Sequence, residues 1–426
     1  MEAVIQNNSE EMFNNDTNKF LFKGTSAILT RQDVEGVTKK ALGIDFKIIN
    51  YHVKAFSEEK VGFMGDHQFL VVTVFRKNRI EKEIHSFFLK SVPYGVEAQA
   101  EVIESCQSFY KEGQFYKFIV PELIKSSTDN TWLVNCYLVK DDVLIFENLK
   151  MLNYDTKDKT LDLDSVKSSL SALAKLHCVS ILAEKRLGKT FLELYPRAMK
   201  ECIFTNSSSN KFHEWFRTGV NLAVEIANMT GLDSSSIRQI CQRVFEKISA
   251  SKKWRNVVCH GDAWSNNIMF NDARPLADRA ILVDFQLVRY TSAMSDVTQC
   301  LYLNLRRQTR EKVEREMLKF YHDVFSSELS RNDQDLDQPD FQDMLQEFEA
   351  MRLVGIVTAM LYSPISYVEG KLCAEITQDS DGFMNLLFRD RIDLVLNIME
   401  KDPVYKSRIL EVIEELVERS EQLLIL

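Results

Sequence analysis

The chain reads as an α+β protein of two lobes: a small N-terminal β-sheet lobe with one key helix, then a larger, mainly helical C-terminal lobe. Three observations predict this. Runs of β-branched and aromatic residues gather before residue 150, with the composition of strands. After that point, segments with apolar residues at helical spacing dominate. Gly (14) and Pro (7) are scarce in 426 residues, which weighs against a turn-rich all-β sandwich and against disorder.

The elements follow in order. Residues 1–24 are polar and form a loose N-terminal segment. Residues 25–150 make the first lobe. There Thr30 can cap a short helix to Lys40, with Val34, Val37 and Ala41 on one face. Phe46, Ile48 and Val53 lie in a β-rich stretch, and His67–Phe75 is almost continuous β-formers. Ile84–Lys90 is a further strand, and Glu97–Phe118 reads as one helix. Trp132–Val139 and Val143–Phe146 complete the sheet, joined by a turn at Lys140-Asp141-Asp142. Residues 151–426 make the helical lobe. Helices are expected at Leu161–Glu184, with Asp162 or Asp164 as cap, and at Asn210–Met229, Ser234–Ala250, Arg310–Leu329, Phe341–Leu361 and Tyr405–Leu424. Val257-Val258 is a strand or core segment. Strands return at Ile268–Phe270 and Ile281–Phe285, and Ser330–Pro339 is a polar loop.

Composition narrows the function. A net charge of −9 disfavours nucleic acid or an anionic membrane as the main partner. The eight cysteines are scattered without a C-x-x-C pair, as expected of buried thiols in a reducing compartment. Met1–Asn18 lacks the basic and apolar regions of a signal peptide. No uninterrupted apolar run approaches the roughly 18 residues of a membrane span. A cytoplasmic protein with no obligate protein partner is the expectation.

The chemistry gathers at His260-Gly261-Asp262-Ala263-Trp264-Ser265-Asn266-Asn267 and Val283-Asp284-Phe285-Gln286. Asp262 and Asn267 stand five positions apart, the spacing of a kinase catalytic loop, H-x-D-x-x-x-x-N. Phosphoryl transfer needs a base to orient the attacking hydroxyl and oxygen ligands to hold magnesium on the phosphates. Asp262 fits the first role; Asn267 and Asp284 fit the second. Apolar residues flank the loop on both sides, pinning it. Asp and Asn at these positions are also ordinary helix-cap and turn residues. Asp284 ends an apolar run, where an unpaired charge is costly. It needs a metal ion or a cation such as Arg289. His260 is the loop's brace, because Asp262 already fills the role of base. With a β lobe followed by a helical lobe, these motifs give a protein-kinase-like outline and predict an ATP-dependent kinase.

His260–Phe270 and Val283–Tyr290 resemble the insect and nematode ecdysteroid kinase-like family, whose pattern is close to H-G-D-x-W-x-N-N-I-x-F, then D-F-Q-x-x-R-Y. That family is related to choline kinases and aminoglycoside phosphotransferases. The Trp inside the loop and the Gln after Asp-Phe point away from protein kinases. The resemblance extends from about Gly43 to about Leu424, strong at these motifs and weaker elsewhere. It implies that Lys90 aligns the ATP phosphates and that Glu112 is its partner, although Glu97, Glu101 and Glu104 are also near. It implies a hinge at Leu144–Leu149, where the backbone of Glu147 and Leu149 would meet the adenine edge. Gly62 and Gly65 lie where a phosphate-covering loop belongs. The pattern departs from G-x-G-x-x-G and also suits a plain hairpin turn. Asp296 would cap the following helix and brace the catalytic loop, and His177 reads as a satisfied core histidine.

The resemblance therefore implies an ATP- and Mg2+-dependent phosphotransferase acting on a hydroxyl of an ecdysteroid or another small lipophilic alcohol or xenobiotic. Met351, Met360, Tyr362, Tyr367, Phe383, Met384 and Phe388 are as well suited to core as to an apolar pocket. Two other readings stay open. One is a choline- or ethanolamine-like kinase, with Tyr367-Val368-Glu369 as the feature suited to a cationic substrate. The other is a catalytically silent binding protein, whose mark would be loss of Asp262, Asn267, Asp284 or Lys90; all four are present.

Overall fold

A capping box starts the first helix, Arg31–Leu42: the Asp33 amide donates to Thr30 Oγ1 at 3.1 Å and the Thr30 amide to Asp33 Oδ2 at 2.8 Å. The computed structural model describes residues 19–21, 28–56, 65–76, 81–127, 129–368, 370–376 and 379–425. The helix covers one face of a five-stranded antiparallel sheet. Its spatial order is Phe46–Ala55, Asp66–Arg76, Lys82–Ser91, Val143–Glu147, Cys136–Val139. Leu70, Val72, Val74, Phe87, Leu89, Val143 and Ile145 point toward Leu29, Val34 and Val37 and form a core of their own. Alternation along a strand turns Phe88 and Lys90 to the other face. The register sets Lys90 between His67 and Leu144, so the lysine lies on an interior strand.

The single helix expected at Glu97–Phe118 is broken. It runs Glu97–Cys106, then Ser108–Gln114, then a wider π turn at Phe115–Ile119 and a last turn at Val120–Ile124. Gln107 sits at φ 57°, the left-handed region, which ends one helix and starts the next on a new axis. The pieces bury different sets: Val102, Ile103 and Cys106 before the break, Phe109, Glu112 and Phe115 after it. Other limits also move. The strand expected from Trp132 begins only at Cys136, because the buried Trp132 carbonyl instead accepts from the Leu282 amide at 2.9 Å. The strand at 281 ends at Leu282.

The rest is mainly helical, so the α+β architecture matches the expectation. The central helix is Leu163–Leu187, capped by Asp162, which accepts from the Ser165 amide at 2.8 Å. It packs against Arg307–Asn332 and Met294–Asn304, and the latter lies along Phe341–Ser366. The helix at 307–332 extends into the segment read as a polar loop. Ser234–Ala250 splits into Ile237–Gln242 and Val244–Lys247, and the C-terminal helix into Pro403–Glu418 and Ser420–Ile425. Leu163–Leu187 and Phe341–Ser366 are long and apolar enough to cross a membrane, although polar residues interrupt both. Both are core helices here, with 94% and 83% of their most apolar windows buried. Met351, Met360, Phe383 and Phe388 belong to this core.

Candidate active site

Two short antiparallel pairs frame the motif loops: Asn256–Cys259 with Arg289–Ser292, and Ile268–Phe270 with Ala280–Leu282. Residues 260–267 and 283–288 are therefore the loops that leave neighbouring strand ends. They are tied together: His260 Nε2 lies 2.9 Å from the Val283 carbonyl, and the Val283 amide donates to the Asn267 carbonyl at 3.0 Å. The Asp262 amide donates to His260 Nδ1 at 3.2 Å. That leaves Nε2 as the protonated nitrogen and the ring neutral. Burial holds the His260 pKa below its ordinary value. The imidazole is a brace, resting on the Phe285 ring at 4.5 Å.

Gly261 is required by its conformation. Its φ is 81°, and a Cβ there would stand 2.1 Å from the Leu287 carbonyl oxygen. The Arg289 guanidinium donates to the Gly261 carbonyl and pairs with Glu201 at 2.8 Å. Arg289 is thus not the partner of Asp284. Behind the loop, Asp296 Oδ2 accepts from the His260 amide at 2.6 Å and Oδ1 from the Gly261 amide at 2.9 Å. His177 Nε2 lies 3.1 Å from Asp296 Oδ2, and its Nδ1 lies 2.8 Å from the Tyr321 hydroxyl. Burial works against the Asp296 charge, but His177 and the loop amides outweigh it and hold the carboxyl below its usual range. Asp296 braces the loop but makes no cap bond to its own helix.

Asp262 is buried. Asn267 Nδ2 donates to its Oδ2 at 2.7 Å and to its backbone carbonyl at 3.1 Å. Oδ1 is buried without a well-formed hydrogen bond. Burial and the nearby Asp284 push the Asp262 carboxyl up to about 7, against the pull of Tyr362, Arg289 and Asn267.

Lys90 connects the sheet to the second loop. Its Nζ donates to Glu112 Oε2 at 2.7 Å and to Asp284 Oδ1 at 2.6 Å, with Gln286 Oε1 at 3.5 Å. The other Glu112 oxygen accepts from the Phe285 amide at 3.2 Å. Burial disfavours the ammonium, yet Asp284 and Glu112 together hold Lys90 above the ordinary lysine value. Burial also lifts the Glu112 carboxyl, while Lys90 and the Phe285 amide pull it back. Because each Glu112 oxygen faces a donor, the ionised pair is the form the geometry fits. Asp284 itself adopts φ 67°, a conformation that costs a non-glycine residue roughly 1 kcal/mol or more.

These groups border a cavity of about 350 Å³. Lys90, Glu112, Asn267 and Asp284 line it together with Phe56, Phe88, Phe146 and Glu147–Leu149. Gly65 lies over the lysine stem, where an added Cβ would come within 3.2 Å of Lys90 Cε. Gly62 lies outside the described residues, as does Glu369. The Glu147 amide donates to the Asn135 carbonyl at 2.9 Å, and the Leu149 carbonyl accepts from the Tyr154 amide at 3.0 Å. Asp262 is not among the residues bordering the cavity; it stands behind Asn267, on the side of Trp264 and Tyr362.

A profile of the ecdysteroid kinase-like family matches residues 68–333. The chain belongs to this family. Similar solved structures include a macrolide 2'-phosphotransferase from Brachybacterium faecium, 10% identical, with 83% of this chain and 98% of that one covered and a TM-score of 0.34. The GDP and kanamycin complex of an APH(2") enzyme is 11% identical, covering 88% and 98%, with a TM-score of 0.37. The amicoumacin kinase hAmiN, with AMP-PNP, Ca2+ and its ligand, is 11% identical, covering 84% and 96%, with a TM-score of 0.39. Among curated protein sequences none matches the chain.

In this ecdysteroid kinase-like chain, the expected Lys90, Glu112, Asn267 and Asp284 come together, and Asp262 joins them through Asn267. Several contributors had no role at the site assigned from the sequence. Glu201 accepts the amides of Cys202, Ile203 and Phe204 on one oxygen, at 2.7–3.0 Å, and pairs with Arg289 through the other. Lys159 stands over the Trp264 ring at 5.5 Å. Tyr362 meets Trp264 edge-on, with centroids 6.3 Å apart. Gln286, unexplained by motif chemistry, is buried beside Lys90.

Proposed function

We propose that this chain is an ATP-dependent phosphotransferase that transfers the γ-phosphoryl group to a hydroxyl of a small lipophilic alcohol, with a steroid-like polyol such as an ecdysteroid as the leading candidate. One observation carries the reading. Lys90 lies within 2.7 Å of two carboxylates drawn from distant parts of the chain, at the edge of an aromatic-walled cavity of about 350 Å³. One lysine facing two acids leaves an excess negative charge beside that cavity, the setting for a hard cation.

The donor set fits Mg2+. Asn267 spends its Nδ2 on Asp262, which leaves its carboxamide oxygen. Asp284 spends Oδ1 on Lys90, which leaves Oδ2, and its side chain is 23% exposed. Asn267 and Asp284 would hold the metal, and when bound it supplies charge neutralisation on the phosphates. Lys90, held by Glu112, would align the triphosphate. Phe56, Phe88, Phe146 and Leu149 suit a flat base. The Glu147 carbonyl and the Leu149 amide remain as an acceptor and donor for its edge. In this arrangement residues 25–150 carry the nucleotide and residues 151–426 the alcohol.

In the transfer, the acceptor oxygen forms a bond to the γ-phosphorus, the bond to the β–γ bridging oxygen breaks, and ADP leaves. The acceptor's proton passes to the Asp262 carboxylate, whose Oδ1 faces no protein donor of good geometry. The test is a thermal-shift titration with Mg-ATP, followed by transfer from labelled ATP to an ecdysteroid, a sterol and choline, with Asp262→Asn as control. Stabilisation by Mg-ATP and transfer to a neutral alcohol are expected, with at least about a hundredfold loss in the variant. Transfer that survives Asp262→Asn refutes the assignment.

A further inference from the structure

We propose that Lys111 is a positioning residue: it anchors the helix that carries Glu112 to residues 196–201, and so fixes where Lys90 stands against the 260–267 loop. Its effect on nucleotide rests on the phosphotransferase reading above. Lys111 and Glu112 are consecutive on the helix Ser108–Gln114, so their side chains leave it about 100° apart. Glu112 meets Lys90 at 2.7 Å. Lys111 leaves the other flank. Its ammonium is buried and donates to the carbonyls of Ala198 at 2.7 Å and Lys200 at 2.5 Å. Burial pulls the Lys111 pKa down, and the two carbonyls make the buried ammonium tolerable. The same segment holds the start of the helix. Arg197 Nε donates to Gln107 Oε1 at 2.9 Å, and its guanidinium lies 3.9 Å from the centre of the Tyr110 ring. The hold therefore reaches Gln107, the residue at φ 57° where the chain turns onto the new axis.

The segment ends on Glu201, which pairs with Arg289 at 2.8 Å, and Arg289 donates to the Gly261 carbonyl. One short run of chain thus grips the helix behind Lys90 at one end and the 260–267 loop at the other. A helix of 7 residues has little stability of its own and stays in place through its tertiary contacts. Without the hold on the Lys111 flank, arrangements in which Glu112 has left Lys90 become populated. Nucleotide that needs the paired arrangement then binds more weakly, in proportion to the fraction still paired. A lysine kept only to satisfy two carbonyls would behave differently. Its loss would loosen residues 196–204 and leave the helix as it was.

The experiment measures amide hydrogen exchange and Mg-ATP binding by calorimetry in wild type, Lys111→Met and Arg197→Ala. Lys111→Met keeps an apolar stem and removes the ammonium. Arg197 is exposed, so its variant leaves the core intact and decides the matter if Lys111→Met does not fold. Both variants are expected to exchange at least about tenfold faster over Ser108–Gln114 and at the Phe285 amide, which donates to Glu112, with Leu163–Leu187 as protected as in wild type. Mg-ATP should bind about threefold or more weakly, and saturating Mg-ATP should return the helix to the exchange of nucleotide-bound wild type. Wild-type exchange over the helix in both variants overturns the proposal, as does faster exchange with unchanged Mg-ATP affinity or faster exchange spread evenly over the chain. A folded wild type that does not bind Mg-ATP is a different result: it defeats the phosphotransferase reading, while exchange without nucleotide still decides whether Lys111 anchors the helix.

Discussion

Asp296→Asn separates the support of the 260–262 loop from the chemistry proposed for it. The carboxylate is fully buried and accepts three contacts: the amides of His260 and Gly261 at 2.6 and 2.9 Å and His177 Nε2 at 3.1 Å. Asparagine has the same shape but only one accepting oxygen. If that oxygen stays on the His260 side, the new NH2 group faces the Gly261 amide; if the side chain turns over, it faces His260 and His177. Either way at least one buried donor loses its acceptor. A hydrogen bond to a charged group contributes about 1.5–3 kcal/mol, and an orphaned buried donor costs about 1–3 kcal/mol. The expected loss is about 2–4 kcal/mol. It is read as a lower urea midpoint at unchanged m-value. The Lys90–Glu112 side is untouched, so Mg-ATP affinity should change less than about threefold while transfer to the alcohol falls at least about tenfold. Wild-type stability, or Mg-ATP affinity and transfer falling together, refutes the view that Asp296 acts by holding residues 260–262 in place.

Three further outcomes are expected. Lys90→Met leaves Glu112 and Asp284 facing each other in a buried site, so stability should fall by about 3–5 kcal/mol. Adding Glu112→Leu should restore much of that without restoring Mg-ATP binding, as urea unfolding and calorimetry would show. Gly261→Ala places a Cβ 2.1 Å from the Leu287 carbonyl at φ 81°; the loop must shift, costing about 2 kcal/mol or more and nearly all transfer activity. Glu347, whose carboxyl burial pushes up to about 7 while Ser292 pulls it down, gives a pH dependence. Between about 4.5 and 7 the unfolded chain loses this proton and the folded chain keeps it, so stability falls as pH rises, by about 3 kcal/mol in all. Glu347→Gln should remove that share of the decline and leave the share due to Asp262, so urea midpoints at pH 5 and pH 8 that differ as much as in wild type would rule it out.

Much of the fold is legible where period and punctuation agree. Thr30, and Asp162 of the pair Asp162 and Asp164, read as cap residues ahead of apolar-periodic runs, and both cap helices in the structure. The break at Gln107 carries no such mark, since glutamine is not the residue expected at φ 57°. It follows from tertiary demand: Ser108–Gln114 must aim Glu112 at Lys90 while Phe115 stacks on Phe285 at 4.1 Å. Periodicity over Glu97–Phe118 describes one continuous helix because the partners on either side of the break lie far away in the chain. The shortened strands at 136 and 282 have the same cause. Trp132 and Asp284 are β-neighbours in composition but belong to loops whose backbone groups are spent elsewhere.

The candidate site divides in the same way. Groups proposed here to meet small, common ligands stand at fixed spacing and are readable, as Asp262 and Asn267 are. Groups that hold those groups are not, because nothing constrains their distance in sequence. Lys90 meets Asp284 across 194 positions, and Lys159 and Glu201 likewise find their partners through the fold. The contrast between Asp296 and Lys159 shows why. The family resemblance implies that Asp296 braces the loop at 260–267, and in the structure the strand pairing between 256–259 and 289–292 brings the start of the next helix under residues 260 and 261. No local pairing brings residue 159 to residue 264. Only the return of the chain past the end of the 341–366 helix, with the Ser366 carbonyl accepting from Lys159, puts an ammonium over the tryptophan. Residues that stand close together in the motifs are therefore readable from local spacing, whereas the contacts that hold them are long-range. Chains sharing the first need not share the second.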